Sequence, residues 1–253
     1  MDQPIKTPTI LAPAELGPVI LALPKGRILK ELGPVLARAG ITPAPDCMNE
    51  DSRRLRFETT DPGLDVVRVR SFDVATFVAH GAAQIGVCGA DVLMEFDYPE
   101  IYAPLDLGIG GCRISVAAPK GFAEAEDSSR WSRITVASKY PGIAQKHYAQ
   151  RGIQAEIVHL NGAMELAPAL GLSKVIVDLV DTGSTLRANG LVETEVIAHV
   201  TSRLIVNRTA LKTRPEEITG WINRFRAALS AAVAEPRSGV TPEAGGKTAR
   251  SGA

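Results

Sequence analysis

The sequence predicts an α/β protein with parallel sheets, because short runs of β-branched residues alternate with helical segments along most of the chain. Of its 253 residues, 45% are hydrophobic, which is enough to bury one large core or two small ones. Lysine and arginine together number 28, as do aspartate and glutamate, so the net charge is zero. The overall charge therefore gives no case for binding nucleic acid or a membrane surface.

In the first half of the chain, apolar runs predict strands at 19–23, 66–70 and 85–88. Periodic segments between them predict helices at 28–39 and 73–80. Gly40 ends the first of these helices, and Asp73 is expected to cap the second.

In the second half, strands are predicted at 115–118, 134–137, 155–160, 175–179 and 196–206. Helices are predicted at 140–151, 163–170 and 215–233. Pro141 suits the first turn of its helix, Gly152 ends that helix, and two glutamates open the last one.

The cysteines and the two ends of the chain indicate a cytoplasmic protein. Cys47, Cys88 and Cys112 are scattered without C-x-x-C spacing, which is typical of free thiols in a reducing compartment. Residues 1–17 are rich in proline and lack the apolar run of a signal peptide, so we expect a flexible arm. Residues 234–253 have almost no bulky apolar side chains and predict a disordered tail.

The segment 175–190 carries the strongest functional signal. A β-branched run predicts a buried strand that ends in Asp178 and Asp181, and a turn of small residues follows, made of Thr182, Gly183, Ser184 and Thr185. Such a turn aims backbone N–H groups and hydroxyls at a phosphate, and the preceding carboxylates suit ribose hydroxyls. The combination fits a phosphoribosyl group. The alternative is an ordinary strand–turn–helix connection with a Ser/Thr cap.

A longer pattern surrounds this turn. From Glu165 to Leu186 the chain reads E-x5-G-x-S-x2-I-x-D-L-x2-T-G-x-T-L, which resembles the signature of the ATP phosphoribosyltransferases. The similarity extends through 19–228 and includes the segments LALPKGRIL, DSRRL and SRLIVNR. The resemblance implies transfer of the 5-phosphoribosyl group of 5-phosphoribosyl-1-pyrophosphate (PRPP) to N1 of ATP. Pyrophosphate is released, and the product starts L-histidine biosynthesis.

The resemblance also implies a two-lobed fold like that of type II periplasmic binding proteins, with parallel or mixed sheets and a central cleft. We expect the extended stretches near 101–110 and 192–206 to be the two crossings between the lobes. Lobe one would then combine 18–107 with 192–233. Lobe two, which carries the PRPP loop, would be 108–191.

This reaction needs cations more than it needs a base, because N1 already has a lone pair and negative charge accumulates on the departing pyrophosphate. Arg27 follows a predicted strand at the sheet edge that faces ligands, and Arg53 lies in the DSRRL segment. Guanidinium groups grip phosphate bidentately and stay charged. We therefore expect Arg27 and Arg53 to be catalytic, with solvated surface arginines as the alternative.

The resemblance places the other substrate contacts. Asp178 and Asp181 would hold the ribose hydroxyls of PRPP, and the turn 182–185 would hold its 5-phosphate. Glu165 either faces the same cleft or supplies a helix N-terminal charge.

ATP would bind at the turns after two strands of lobe one, through Lys25, Gly26, Gly89 and Asp91. Asp91 is either a helix cap or a contact to the purine nucleotide. Lys25 either reaches a phosphate or caps its loop. The sequence leaves open the roles of Arg54, Arg56, Arg68 and Arg70.

The chain contains no P-loop, so ATP is not expected to be held by one. Its histidines lack zinc-type spacing, so no protein-bound metal is expected, and Mg²⁺ should arrive mainly on the substrate phosphates. The chain resembles the short form of the family, which lacks a C-terminal histidine-binding domain. That form implies a homodimer of catalytic subunits and a separate regulatory subunit resembling histidyl-tRNA synthetase. The alternatives are a solute-binding pair of lobes and a nucleobase-salvage phosphoribosyltransferase, which usually places two adjacent acids before its loop.

Overall fold

A computed structural model of the chain describes residues 17–122 and 131–234. Of the arm predicted at 1–17 and the tail predicted at 234–253, residues 1–16 and 235–253 lie outside the described residues. Within the described part, every helix is too short or too polar to cross a bilayer.

The first half of the chain forms, in order, β1 (Val19–Pro24), α1 (Arg27–Arg38), a short 3-10 helix (Pro45–Cys47), β2 (Arg56–Glu58), β3 (Leu64–Val69), α2 (Ser71–Ala79), β4 (Ile85–Gly89), α3 (Ala90–Phe96) and β5 (Ile101–Asp106). The second half forms β6 (Cys112–Pro119), β7 (Arg133–Ser138), α4 (Pro141–Ala149), β8 (Gln154–His159), α5 (Leu166–Ala169), β9 (Val175–Val180), α6 (Ser184–Ala188), β10 (Leu191–Val200), β11 (Ser202–Asn207), α7 (Arg208–Thr213) and α8 (Pro215–Ala234).

The strands form two mixed sheets. The first has the order β2-β3-β1-β4-β11-β5, in which the central strands β3, β1 and β4 are parallel and the other neighbours are antiparallel. The second has the order β10-β6-β9-β7-β8, in which β9, β7 and β8 are parallel. The prediction of an α/β fold with parallel or mixed sheets is confirmed.

Each sheet has its own apolar core, so the chain folds into two lobes. In the first lobe, α1 and α8 pack on one face of the sheet through residues such as Leu32, Trp221 and Phe225. The helix α2 covers the opposite face. The second lobe buries Tyr140, Ile143 and neighbouring apolar residues of its strands in a separate cluster.

The chain crosses between the lobes twice. The first crossing is the segment 107–111 between β5 and β6, and the second is Thr201 between β10 and β11. Leu107 N–H donates to Ser202 O at 2.9 Å, and Ser202 N–H donates to Ile109 O at 2.9 Å, so the two crossings run side by side.

The predicted lobe boundary at 192 is wrong, because β10 pairs with β6 from Leu191 to Val200 and therefore belongs to the second sheet. The single strand predicted at 196–206 is two strands in different sheets, divided at Thr201. The boundary lies at that residue. Strand-forming aliphatic residues lie on both sides of Thr201, so the sequence pattern does not reveal the change of sheet.

Two predicted helices begin elsewhere. The helix α2 starts at Ser71 with Arg70 in the capping position and without a side-chain cap, so the expected cap by Asp73 is wrong. Asp73 lies in the first turn, where its charge suits the positive end of the helix. The helix predicted at 163–170 is only α5, because Ala163 has a left-handed backbone with φ of 54° that delays the helix start.

Candidate active site

Two strands, one from each lobe, end on opposite sides of the cleft between the lobes. The strand β1 leads through Lys25 and Gly26 into α1, and β9 leads through Asp181 into the turn before α6. Arg27 Nη1 lies 3.4 Å from Asp181 Oδ2, which is a contact from one lobe to the other. The structure therefore brings one predicted catalytic arginine to the predicted PRPP loop.

The turn after β9 has the geometry of an anion-binding loop. Gly183 has φ of 71°, a left-handed conformation that favours glycine. Thr182 Oγ1 donates to Ser184 Oγ at 3.0 Å, and Ser184 N–H reaches back to Thr182 Oγ1 at 3.4 Å. Arg187 Nη1 donates to the Thr182 carbonyl at 3.1 Å. The exposed hydroxyls and the left-handed turn together can surround a phosphate.

Acidic side chains stand directly beside this loop. Asp178, Glu165 and Thr185 line one cavity of about 630 Å³, so the structure brings these three predicted PRPP contacts together. Burial raises the pKa of Asp178 to about 6, and the nearby Glu165 charge adds to the effect. Lys139 lines the same cavity and opposes that shift. Asp181 remains exposed at the mouth of the cleft.

The glycine before α1 shapes the lobe-one side of the cleft. Gly26 has φ of 87° and ψ of −145°, a conformation that only glycine adopts without strain. Its carbonyl accepts the N–H of Leu29 at 3.1 Å, which starts the helix behind Arg27.

The exposed Lys25 lines a second cavity of about 440 Å³. Arg70 and Lys139 lie on the same cavity, so three cations surround this part of the cleft. Asp73 and Glu95 stand on its wall as well. Such a concentration of cations suits an anionic ligand.

Arg53 is exposed and makes no hydrogen bond or ion pair with any residue that the structure describes. The loop that carries Arg53 is held by Arg68, a buried residue that is only 2% exposed. The Arg68 guanidinium donates to three carbonyl groups at 2.6–2.8 Å, those of Cys47, Asn49 and Ser52. Arg68 therefore fixes the loop that presents Arg53 and points neither into the cleft nor to a surface.

Gly89 and Asp91 lie at a joint between the lobes. The Asp91 carboxylate is 6% exposed and accepts the Tyr140 hydroxyl of the second lobe at 2.8 Å. Burial raises the pKa of Asp91. A Cβ atom on Gly89 would lie 1.9 Å from Asp91 Oδ1, so a side chain at this position would displace the Asp91 carboxylate. A contact between Asp91 and the nucleotide stays a prediction.

Glu95 strengthens the same joint. Its carboxylate accepts the N–H groups of Gly142 and Ile143 at 2.8 and 3.0 Å, at the positive end of α4. The sequence showed neither this contact nor the Tyr140–Asp91 bond, because both join residues far apart in the chain.

Sequence reasoning also missed Arg113. Its guanidinium binds Glu193 through two bonds of 2.5 and 2.6 Å, and it donates to the carbonyl of Asp181 at 2.8 Å. Arg113 and Glu193 become neighbours only through the pairing of β6 with β10, so no local pattern could have revealed them.

The fold and this cleft define a class, that of two-lobed α/β proteins, here with a cleft whose cations and turn suit a phosphorylated ligand. The family profile described as "HisG: ATP phosphoribosyltransferase" matches residues 70–227. The chain is 74% identical over 226 residues to the ATP phosphoribosyltransferase of Gluconobacter oxydans, covering 89% of this chain and 93% of the relative. It is 62% identical over 216 residues to that of Rhodospirillum rubrum, covering 85% of this chain and 95% of the relative.

Two solved structures are similar. One is a chain of the "ATP phosphoribosyl transferase (HisG:HisZ) complex from Thermotoga maritima", with a TM-score of 0.70 and 30% identity over 84% of this chain and 99% of that one. The Bordetella pertussis BvgS periplasmic VFT2 domain shares the fold alone, with a TM-score of 0.51 and 12% identity over 86% of this chain and 94% of that one. The chain belongs to the ATP phosphoribosyltransferase family.

The raised pKa of Asp178 gives a prediction about stability. The folded chain holds the Asp178 proton with a pKa of about 6, against an ordinary value of 3.8, so its charge destabilises the fold increasingly as pH rises between these values. We predict that Asp178→Asn raises the free energy of unfolding by about 1–3 kcal/mol at pH 7.5, and by less at pH 5.

Chemical denaturation at both pH values measures this difference. The exposed Asp46 offers a matched control, since Asp46→Asn should leave stability nearly unchanged at either pH. An increase in the free energy of unfolding of Asp178→Asn that does not depend on pH, or a decrease at pH 7.5, would contradict the prediction.

Proposed function

We propose that the cleft transfers the 5-phosphoribosyl group of PRPP to N1 of ATP, releasing pyrophosphate in the first step of L-histidine biosynthesis. The overall reaction is that of the family to which the chain belongs. The main support for placing the reaction in this cleft is the 3.4 Å contact between Arg27 and Asp181. This contact joins the first lobe, which supplies Arg27, to the residue before the turn proposed to bind phosphate.

In this proposal PRPP binds to the second lobe. Its 5-phosphate lies on the turn 182–185, where hydroxyls and N–H groups converge, and its ribose hydroxyls meet Asp178, Asp181 and Glu165. The hydroxyls are donors and the carboxylates accept, so this contact needs no change of protonation.

Substrate binding then frees Arg27. In the structure Arg27 lies 3.4 Å from both Glu31 and Asp181. Asp181 is exposed, whereas Glu31 is half-buried and also accepts the Gly110 N–H. Such long pairs at the protein surface contribute little net energy. When ribose hydroxyls engage Asp181, Arg27 can turn to the pyrophosphate and stabilise the charge that develops as the bond to C1 breaks. Arg53 supplies a second cation from its fixed loop.

ATP approaches from the first lobe. Lys25 and Gly26 lie at the positive N-terminal end of α1 and would bind its phosphates, with Gly89 and Asp91 at the back of the cleft. N1 of adenine attacks C1 directly, so positioning and charge stabilisation supply the rate enhancement.

Mg²⁺ is expected to enter on the substrate phosphates, whose charge it neutralises. Among the described residues there is no group of three His, Cys, Asp or Glu side chains arranged to hold a metal ion. We propose that the metal is held mainly by substrate oxygens, because Mg²⁺ usually binds through substrate phosphates and keeps several waters.

The test of the function is a pyrophosphate-release assay with PRPP and one acceptor at a time. We expect release with ATP and background rates with adenine, guanine or orotate. A faster reaction with a free base would support a nucleobase-salvage enzyme. Binding of PRPP without turnover on any acceptor would support a solute-binding pair of lobes.

Arg27→Ala and Arg53→Ala are each expected to lower turnover by on the order of 10²-fold, the usual effect of removing one donor to developing charge. Lysine at either position should not restore full turnover, because it lacks the bidentate fork. Steady-state kinetics with saturating PRPP and ATP measure both effects.

Arg226 is exposed on α8 and serves as the matched control, since Arg226→Ala should keep normal turnover. Normal turnover in a folded Arg27→Ala or Arg53→Ala protein would remove that arginine from the mechanism.

We also propose that the catalytic chain is of the short form, pairs with a second catalytic chain, and works with a separate regulatory subunit resembling histidyl-tRNA synthetase. The related Thermotoga maritima structure is a complex of two proteins, HisG and HisZ, and this chain covers 99% of the matched chain. The curated relatives are covered over 93–95% of their length, without a large additional domain. The cytoplasmic location stays a prediction.

This proposal predicts where histidine acts. The isolated chain should be insensitive to histidine, and inhibition should appear when the regulatory subunit is added, because allostery needs a second site that distinguishes two states. The pyrophosphate assay with and without the partner measures the response. Saturable inhibition of the isolated chain at micromolar histidine would place the effector site within the catalytic lobes instead.

A further inference from the structure

We propose that Arg113 is a positioning residue for PRPP binding. Arg113 fixes the orientation of the phosphate-binding turn 182–185, and Glu193 holds the Arg113 side chain in place. This inference rests on the proposed function of that turn. Arg113 is the second residue of β6, and Glu193 lies on the neighbouring β10. Their side chains are 28% and 23% exposed, so the pair is largely shielded from water.

The guanidinium is held in one plane by its acid. Arg113 Nε donates to Glu193 Oε1 at 2.6 Å and Nη2 donates to Oε2 at 2.5 Å, which is the two-pronged geometry that arginine forms with a carboxylate. Ser115 Oγ also donates to Glu193 Oε1, at 2.8 Å. The hydrogen bonds that Arg113 donates lower the pKa of Glu193, and the Ser115 hydroxyl and the Arg113 charge add to the effect, so the acid stays ionised at neutral pH.

The backbone of β10 is irregular where this acid lies. The register of β10 against β6 shifts between Glu193 and Glu195. Bulges of this kind re-aim a side chain and are common beside active sites. Here the irregularity accompanies a side chain that reaches across to Arg113 and Ser115 rather than to solvent.

The remaining guanidinium nitrogen, Arg113 Nη1, contacts the residue that precedes the phosphate-binding turn. Arg113 Nη1 donates to the carbonyl oxygen of Asp181 at 2.8 Å. A trans peptide is planar, and its C=O and N–H point in opposite directions. Fixing the Asp181 carbonyl toward Arg113 therefore fixes the Thr182 N–H away from it, at the start of the turn proposed to hold the 5-phosphate.

The Arg113–Glu193 ion pair, which we call the clamp, also connects this turn to both crossings. Arg113 lies two residues after the end of the first crossing, and Glu193 lies on the strand that ends at the second crossing. The other end of Asp181, its carboxylate, contacts Arg27 of the first lobe. Arg113 thus fixes the backbone of a residue whose side chain meets the opposite lobe.

The experiment compares Arg113→Ala, Arg113→Lys, Glu193→Gln and the double variant Arg113→Ala/Glu193→Gln in steady-state kinetics with each substrate varied in turn. We expect Arg113→Ala to raise the KM for PRPP by about 10-fold or more, the size expected for one lost charge-assisted hydrogen bond. The KM for ATP should change by less than about 2-fold, within the scatter of contacts left intact. Lysine should rescue partially, because it reaches the carbonyl without the fork.

Glu193→Gln separates positioning from direct contact, because it leaves the Arg113 charge in place and loosens only the clamp. A positioning role predicts a raised KM for PRPP in this variant as well, and a double variant no worse than Arg113→Ala alone. Glu193→Gln also keeps the test valid if Arg113→Ala fails to fold.

The matched control is Arg133→Ala, since Arg133 pairs with Glu156 at 2.8 Å in the same sheet and touches no part of the loop. It should change neither KM. An unchanged KM for PRPP in folded Glu193→Gln, or equal rises in both KM values for Arg113→Ala, would overturn the proposal. Absence of turnover in the unmodified chain would instead refute the proposed function.

Discussion

The site depends on the place where the chain crosses twice between its two sheets. Ser202 bonds to both Leu107 and Ile109, so the two crossings are joined by backbone hydrogen bonds. Ala90 N–H also donates to Thr201 O at 2.9 Å, which attaches α3 to the second crossing. The strand ends that carry functional loops are thereby held opposite each other. The contact of Arg27 with Asp181 is a consequence of this arrangement.

Two kinds of ion pair share the site, and their geometry indicates different uses. Arg113 binds Glu193 by two short bonds in a shielded position, which suits a fixed frame. Arg27 is itself exposed and lies 3.4 Å from the carboxylates of Glu31 and Asp181, which leaves it free to exchange these weak contacts for a substrate phosphate. The charge of the half-buried Asp178 destabilises the folded chain at neutral pH. A role in substrate binding explains this residue better than a role in stability does.

The sequence was informative wherever function is encoded in consecutive residues. The strand before Asp178, the turn around Gly183 and the start of α1 at Arg27 were all predicted from local patterns, and the two-lobed fold followed from the family resemblance. The boundary at 192 was wrong because β10 and β11 both carry strand-forming β-branched residues, and only hydrogen-bond pairing shows that they belong to different sheets.

Contacts between distant residues could not be predicted in the same way. Arg68 looked like one of several basic residues, yet it is buried against three carbonyl groups of the loop before Arg53. The Tyr140–Asp91 bond and the Arg113–Glu193 clamp likewise exist only after the sheets and lobes have formed. These long-range contacts orient the loops whose chemistry the sequence reveals.

A crystal structure of the chain with PRPP bound tests the proposed site most directly. We expect the 5-phosphate on the turn 182–185, the ribose hydroxyls at Asp178 and Asp181, and the pyrophosphate directed toward Arg27 with the Arg27–Asp181 contact broken. A 5-phosphate bound instead in the cavity beside Lys25 and Arg70, with the turn empty and that contact intact, would contradict this placement.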